Sequence, residues 1–215
     1  MKKTLGLLLL IFVMFLLVGC NPTTDPDDEG DINFDEYDEE ELREALGDSY
    51  RITYKITVTD EDGTDTTTFT IAVDDEYVFY SFEDEGYLFS ATTGYLLDLE
   101  EETKEELPEI LYQALKDSIG QIDDYMFAWF VDLNSDLVNF KGNETVINRP
   151  VKIYEFSYGS GEFAMTMRYH VDNQLNIALK YEYTIGESSV VWEITELKID
   201  NVNLTDYLDY ETVVG

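Results

Sequence analysis

Tyr50-Arg51-Ile52-Thr53-Tyr54-Lys55-Ile56-Thr57-Val58-Thr59 decides the fold of this chain. Tyr50, Ile52, Tyr54, Ile56 and Val58 fall on one parity, and Arg51, Thr53, Lys55, Thr57 and Thr59 on the other. A period of two puts successive side chains on opposite faces of a strand, so this segment lays one face on a core and turns the other to water. That alternation is the mark of an antiparallel sheet covered on one side. After Asp60-Glu61-Asp62-Gly63, the residues Thr67, Phe69, Ile71 and Val73 repeat the pattern. The intervening run has the acids and the glycine of a calcium loop's start, but it lacks the flanking helices and the Glu at position 12, and a hairpin turn accounts for it better.

Working outward, short strands are expected at 76–82, 86–91 and 94–99, between Asp74-Asp75, Glu83–Gly86 and Thr93-Gly94. The centre reads as helical. Thr103 and Glu106 have capping-box spacing, while Pro108 suits the first turn of a helix. Leu107, Ile110, Leu111, Ala114 and Leu115 keep helical spacing to about 118. A second helix over 123–139 is apolar round most of its circumference, with Met126, Phe127, Trp129, Phe130, Val131, Leu133, Leu137 and Val138. Strands resume at Val151–Tyr158. One face of the next strand carries Phe163, Met165, Met167, Tyr169 and Val171, and Leu175 to Tyr183 forms its partner across Asp172-Asn173. In the last strand, about 189–201, Val190, Trp192 and Ile194 share one parity and Leu197 and Ile199 the other. A bulge near Thr195-Glu196 reconciles them.

The flank on the amino-terminal side is of another kind. Met1-Lys2-Lys3 precedes an apolar run from Leu5 to Val18, a length that suits a signal-peptide core rather than a spanning helix. It ends in Leu17-Val18-Gly19-Cys20, which resembles the lipobox of bacterial lipoprotein precursors. The resemblance implies diacylglyceryl transfer to the Cys20 sulfur and cleavage before it. Two acyl chains give stable anchoring where one does not. Cys20 is the chain's one cysteine, so no internal disulfide is available. Residues 21–33 carry two of the four prolines and five acids and have almost nothing to bury. They read as a tether spanning about 20 Å with flexible-chain statistics. Asp35–Gly47 reads as a short helix with acids in its first turns, a stripe of Leu42, Ala45 and Leu46, and Gly47 at its stop. The organisation is a signal peptide over 1–19, a lipidated Cys20 and acidic tether over 20–33, and one domain over 34–215.

Charge bounds the partners. The chain has 13 basic and 47 acidic residues, a formal −34. Loss of 1–19 removes Lys2 and Lys3 and no acid, leaving 11 against 47, or −36. Such a surface repels nucleic-acid phosphates and anionic headgroups alike, which excludes nucleic-acid binding and docking on a membrane through basic patches. The extracytoplasmic face of a membrane, reached through the lipid, is the expected location.

A lipobox, an acidic tether, a short helix, a hairpin-rich block, a central helix pair and closing long strands together resemble the LolA/LppX-like group of lipoprotein and lipid carriers. The residues carrying the resemblance are Tyr50–Thr59, the run Asn148-Arg149-Pro150-Val151-Lys152-Ile153-Tyr154-Glu155-Phe156, and Tyr169-His170-Val171-Asp172. It implies an α+β fold in which a curved antiparallel sheet, a half-barrel of about eight to eleven strands, has a helix pair on its apolar face. It also implies a hydrophobic or lipid ligand in the groove between them.

Catalysis is hard to build from this composition. The one histidine, His170, lies on the polar parity of its strand beside Arg168 and is expected to face solvent. Without a second histidine or a free thiol, Cys–His pairs are unavailable, and no glycine-rich phosphate loop or zinc-spaced cluster occurs. No enzyme, metal or cofactor is implied, although a hydrolase with an exposed carboxylate pair remains a third reading. The expected ligand face is Met126, Trp129, Phe130, Met165, Met167 and Trp192, where adaptable Met and broad aromatics suit a greasy molecule. Such residues are more often plain core. The alternative is a structural or interaction module in which the groove is core and the acidic outer face meets cations or a protein partner.

Overall fold

A computed structural model describes residues 46–116, 138–160, 164–175 and 177–213. In chain order the strands are β1 (Tyr50–Asp60), β2 (Gly63–Val73), β3 (Val78–Phe82), β4 (Glu85–Phe89), β5 (Gly94–Asp98), β6 (Thr103–Glu106), β7 (Val138–Val146), β8 (Arg149–Tyr158), β9 (Met165–Asp172), β10 (Ala178–Ile185), β11 (Ser188–Ile199) and β12 (Glu211–Thr212). They form one sheet in the order β12-β6-β5-β4-β3-β2-β1-β11-β10-β9-β8-β7. Every pair is antiparallel except β12–β6. The sheet is curved and unclosed, with β7 and β12 at its edges, and is the expected half-barrel with one strand more than expected.

The order shows two meanders joined by β1 and β11, strands of 11 and 12 residues. Their register runs from Tyr50↔Ile199 to Thr59↔Ser189, with Thr53 opposite Glu196 and Tyr54 opposite Ile194. Thr195 is therefore the extra residue, and the bulge lies where the parity change places it. Upstream Trp192 and Ile194 and downstream Leu197 and Ile199 all reach the main core. The β1–β2 connection is a tight hairpin, Asp60↔Gly63, in which Asp60 Oδ1 accepts from the Asp62 amide at 2.9 Å. Gly63 takes φ +137°, so this segment is a turn and not an EF-hand.

Several expectations fail in this region. Thr103–Glu106 is a strand and not a capping box. The helix α1 begins only after Pro108 and is described over 109–116, with the Tyr112 amide donating to the Pro108 carbonyl. Its buried side is Tyr112 with half-buried Leu115, whereas Ile110, expected on the apolar stripe, is 87% exposed. Among the described residues α1 takes the place of the expected pair. The second helix falls at 123–137, outside them, and its expected last residues 138–139 belong to β7 instead. Of the expected helix over 35–47 only the end is described: Leu46 is fully buried and Gly47 adopts φ +71°, the left-handed stop.

Both faces of the β2–β5 half are covered, contrary to a sheet with one wet side. Tyr50, Ile52, Phe69, Ile71, Tyr80 and Phe89 enter the main core with Leu107 and Tyr112. On the other face Ala72, Phe79, Leu88 and Leu97 are capped by Val202 and Leu204, and Tyr207 stacks on Phe79 at 4.5 Å. The segment that does this, with a 3₁₀ turn over Thr205–Asp209, carries no period that the sequence reading detects. At the far end of the sheet, β7 and β8 meet in a two-residue turn with φ +44° at Ile147 and +63° at Asn148. Asn tolerates that setting, while Ile is strained by it and packs its side chain against the core. Beside this turn Asp172 is fully buried. It accepts from Arg149 Nη2 at 3.1 Å and from the amides of Gln174 and Leu175 at 2.8 and 2.7 Å. Burial pushes its pKa up, but Arg149 and the two amides outweigh this and hold it below the ordinary value.

α1 rests in a notch made by a missing side chain. A Cβ on Gly94 would stand 2.7 Å from Tyr112 Cδ2 and 2.9 Å from Phe89 Cδ1. The Tyr112 hydroxyl, donating to the Ser90 carbonyl at 3.0 Å, keeps the ring from retreating. Gly94→Ala is therefore expected to destabilise the protein by about 1–3 kcal/mol through overpacking. Urea unfolding with an unchanged midpoint would count against this seating of α1.

Candidate functional site

The register of β1 and β7–β11 lines up one face. Ile56, Trp192, Tyr181, Tyr169 and Tyr154 are successive cross-strand neighbours, and Tyr154 in turn pairs with Phe140. Ring contacts link them in part: Tyr54–Trp192 at 5.9 Å, Tyr169–Tyr181 at 5.0 Å and Phe140–Tyr154 at 5.9 Å. Nearer the turns, Val190, Tyr183, Met167 and Phe156 form the next rung. The last rung is Ile185, Met165 and Tyr158.

Exposure rises along this face. Trp192, Tyr169 and Tyr154 are buried, Met167 and Tyr183 are half-buried, and on the last rung Ile185 is 37% and Tyr158 71% exposed. Phe140, on the edge strand, is 48% exposed. None of these described positions carries a charge. Burial lifts the phenol pKa values of Tyr169 and Tyr181 well above the ordinary range, so both stay neutral. Over these three rungs the surface thus presents rings, thioethers and aliphatic groups, and the nearest charge on the same parity of β8 is Lys152, one rung further in opposite Val171. Its exposed rung is the sort of apolar patch that marks a contact or ligand surface.

Three of the six expected ligand residues fall here. Met165 and Met167 share this face of β9, and Trp192 belongs to it two strands away, where it is part of the core proper. Met126, Trp129 and Phe130 lie outside the described residues, as does Cys20. Sequence reading missed Tyr158, Ile185 and Phe140. The first two have the same parity as their strands' apolar residues, a signal that was there to use.

The outer face of the same strands is ionic. Glu155 lies between Lys141 Nζ at 2.9 Å and Arg168 Nε at 2.7 Å, and these two cations hold its pKa below the ordinary carboxylate value. Arg168 also approaches Glu182 at 3.8 Å, and Lys180 meets Glu182 at 2.5 Å. His170 lies at the bottom of the resulting cleft of about 530 Å³. Parity placed it correctly, but the expected solvent exposure does not hold: it is 4% exposed, because long side chains from β7 and β10 close over it. Glu144 Oε2 lies 2.8 Å from Nδ1 and Glu182 Oε1 3.7 Å from Nε2, and neither contact has the geometry of a hydrogen bond. Among the described residues no group of three or more His, Cys, Asp or Glu is placed to hold a metal ion.

No protein-family model matches the chain, and no curated protein matches it. Solved structures resemble it at low overlap and low identity. The Pseudomonas aeruginosa MucA/MucB complex overlaps with a TM-score of 0.44 and 13% identity, over 79% of this chain and 58% of that one, less than two thirds of its length. LprF of Mycobacterium bovis gives a TM-score of 0.43 and 9% identity over 77% of this chain and 94% of that one. Lipoprotein LppX of Mycobacterium tuberculosis gives 0.37 and 8% over the same shares, 77% and 94%. At such identities and overlaps, no ligand or partner carries over to this chain.

Burial lowers the His170 pKa from its ordinary 6.5, with Lys180 adding to the shift and Glu182 and Glu144 opposing it. The folded protein thus keeps the imidazole neutral where the unfolded chain takes up a proton. Stability is unaffected well above pH 6.5 and falls as the pH drops through that value toward the folded pKa. The melting temperature is expected to decline between about pH 7 and 5, and His170→Gln should flatten that decline. Equal slopes for the two proteins would remove His170 from this account.

Proposed function

We propose that this protein is a non-enzymatic, lipid-anchored lipoprotein of the extracytoplasmic membrane face that binds a hydrophobic or lipid molecule along the aromatic and Met-lined face of β7–β11. One observation carries the reading: an uncharged apolar face that grades from the buried Trp192 to the exposed Tyr158 and Ile185. A core residue gains by being covered within the molecule, but Tyr158, Ile185 and Phe140 remain partly in water. A ligand that covers them gains roughly 25 cal/mol for each Å² of apolar area removed from water. The adjoining Met165 and Met167 can re-pack around tails of differing shape.

The anchor is the other half of the proposal. The leader, the Leu17-Val18-Gly19-Cys20 motif and the acidic tether support it. At a formal −36 once residues 1–19 are removed, the chain has no electrostatic reason to stay at an anionic bilayer, so two acyl chains on Cys20 would do that work. Replacing Cys20 with Ala should shift the protein from the membrane fraction to the medium. Retention on the membrane, or an intact mass with an unmodified thiol in the native protein, would end that part of the reading.

Ligand binding is tested on purified, detergent-free protein by native mass spectrometry and by titration with fatty amphiphiles, followed through tryptophan fluorescence in a Trp129→Phe variant that leaves Trp192 as the reporter. Tyr158→Ser with Ile185→Ser, both at exposed positions, should weaken binding about tenfold with little change in melting temperature, as loss of roughly 1–2 kcal/mol of apolar burial requires. Affinity that ignores the double substitution would place the ligand elsewhere.

A further inference from the structure

The exposed rung has a rim, and its charge is all of one sign. The β1–β2 turn, the β10–β11 turn and the ends of β8 and β9 meet at one end of the sheet. The pairings Thr59↔Ser189, Ile185↔Ser188, Ile185↔Met165 and Tyr158↔Met165 require it. Over 57–66 and 183–191 the charged residues are Asp60, Glu61, Asp62, Asp65 and Glu187, all exposed. The described residues of 156–167 add none, and no Lys, Arg or His occurs among the described residues of all three stretches. The next basic residue along β9, Arg168, lies on the opposite face and is held by Glu155 at 2.7 Å. An uncharged apolar floor, Tyr158, Met165 and Ile185 across three neighbouring strands, thus opens at its Ile185 end onto an acidic lip.

We propose that this end of the sheet selects amphiphiles with a cationic head group, the tail lying along Tyr158, Met165 and Ile185 toward Met167 and the head held at the lip by Glu61, Asp62 and Glu187. The inference rests on the reading of this face as a hydrophobic-ligand surface and adds the chemistry of the ligand's head. Carboxylates near a fixed cation attract it, whereas a fatty carboxylate at the same place meets only like charge. Because the lip is exposed, the preference should weaken with salt as screening sets in.

The experiment compares three twelve-carbon tails below their micellar concentrations: dodecyltrimethylammonium, dodecanoate and dodecyl maltoside, titrated calorimetrically into the purified protein. The expected order is trimethylammonium, then maltoside, then dodecanoate, with the first at least about tenfold tighter than the last at low salt and most of the gap lost at ~0.5 M salt. A lip variant carrying Glu61→Gln, Asp62→Asn, Asp65→Asn and Glu187→Gln should lose the cation preference while binding maltoside as before. A control variant carrying Asp75→Asn, Glu76→Gln, Glu101→Gln and Glu109→Gln removes the same charge from exposed sites outside the three lip stretches and should keep the preference. Equal affinity for the trimethylammonium and maltoside heads overturns the proposal and leaves the hydrophobic reading intact. Equal loss of preference in the two variants also overturns it, since the protein's overall charge would then be responsible. Failure of all three tails to bind overturns both.

Discussion

The pairing of β1 with β11 is the contact on which the rest of the sheet depends. It joins residues roughly 130 to 150 positions apart, so the chain pays a large closure entropy before any cross-strand contact compensates it. Without it there are two separate meanders, each with an open edge and half a core. With it, Ile52, Ile56, Trp192 and Ile194 close into one cluster that spans the junction. The register must also be right, because a slip by one residue would send every core side chain of a strand to the wrong face. The extra residue at Thr195 is part of that register. It lets Trp192 and Ile194 on one side, and Leu197 and Ile199 on the other, reach the same core from opposite parities.

The junction also separates two halves with different physical characters. Toward β6 the sheet is apolar on both faces, closed on one by α1 and on the other by the segment that brings Val202, Leu204 and Tyr207 over Phe79. Toward β7 the outer face is a lattice of ion pairs and the inner face is aromatic, buried near the junction and open near the turns. Exposed pairs such as Lys141–Glu155 contribute little each, and their effect is to keep the outer face wet and in register. The pair of half-buried Arg149 with fully buried Asp172 is another matter, since removal of Arg149 would leave a buried carboxylate without its cation and removal of Asp172 would leave two amides without their acceptor. The half of the sheet that is least covered is thus the half most tightly specified by charge.

Long strands were legible in the sequence because their faces differ. β1, β2, β9 and β11 alternate cleanly, and even the bulge could be placed from a change of parity. Elements without such a contrast were not legible. In β7, Val138–Val146, most side chains are half-exposed or exposed, since it is an edge strand broken by a bulge at Phe140–Gly142, and its polar run shows no period. β6 is four polar residues whose identity as a strand comes from hydrogen bonding to β5. On α1 the spacing of Ile110 and Leu111 suggested an apolar stripe, yet Tyr112 is the buried residue because Gly94 leaves a space of its size.

The candidate site divides in the same way. Parity alone put Met165 and Met167 on one face of β9 and His170 on the other, because alternation is a property of the chain itself, while the pairing through β10 brought Trp192 to the methionines' face. The sequence also determined the net charge, the lone cysteine and the apolar leader, which need no fold to be read. Only the tertiary structure decided that Tyr158 and Ile185 stand in water while Tyr154 and Tyr169 do not, and that the acids of the β1–β2 hairpin and the β10–β11 turn lie at one end of the sheet. Only it decided that His170 is sealed under side chains of other strands. Burial and charge density depend on which distant segments arrive next to a residue, and that neighbourhood is fixed by strand pairing, not by any one segment.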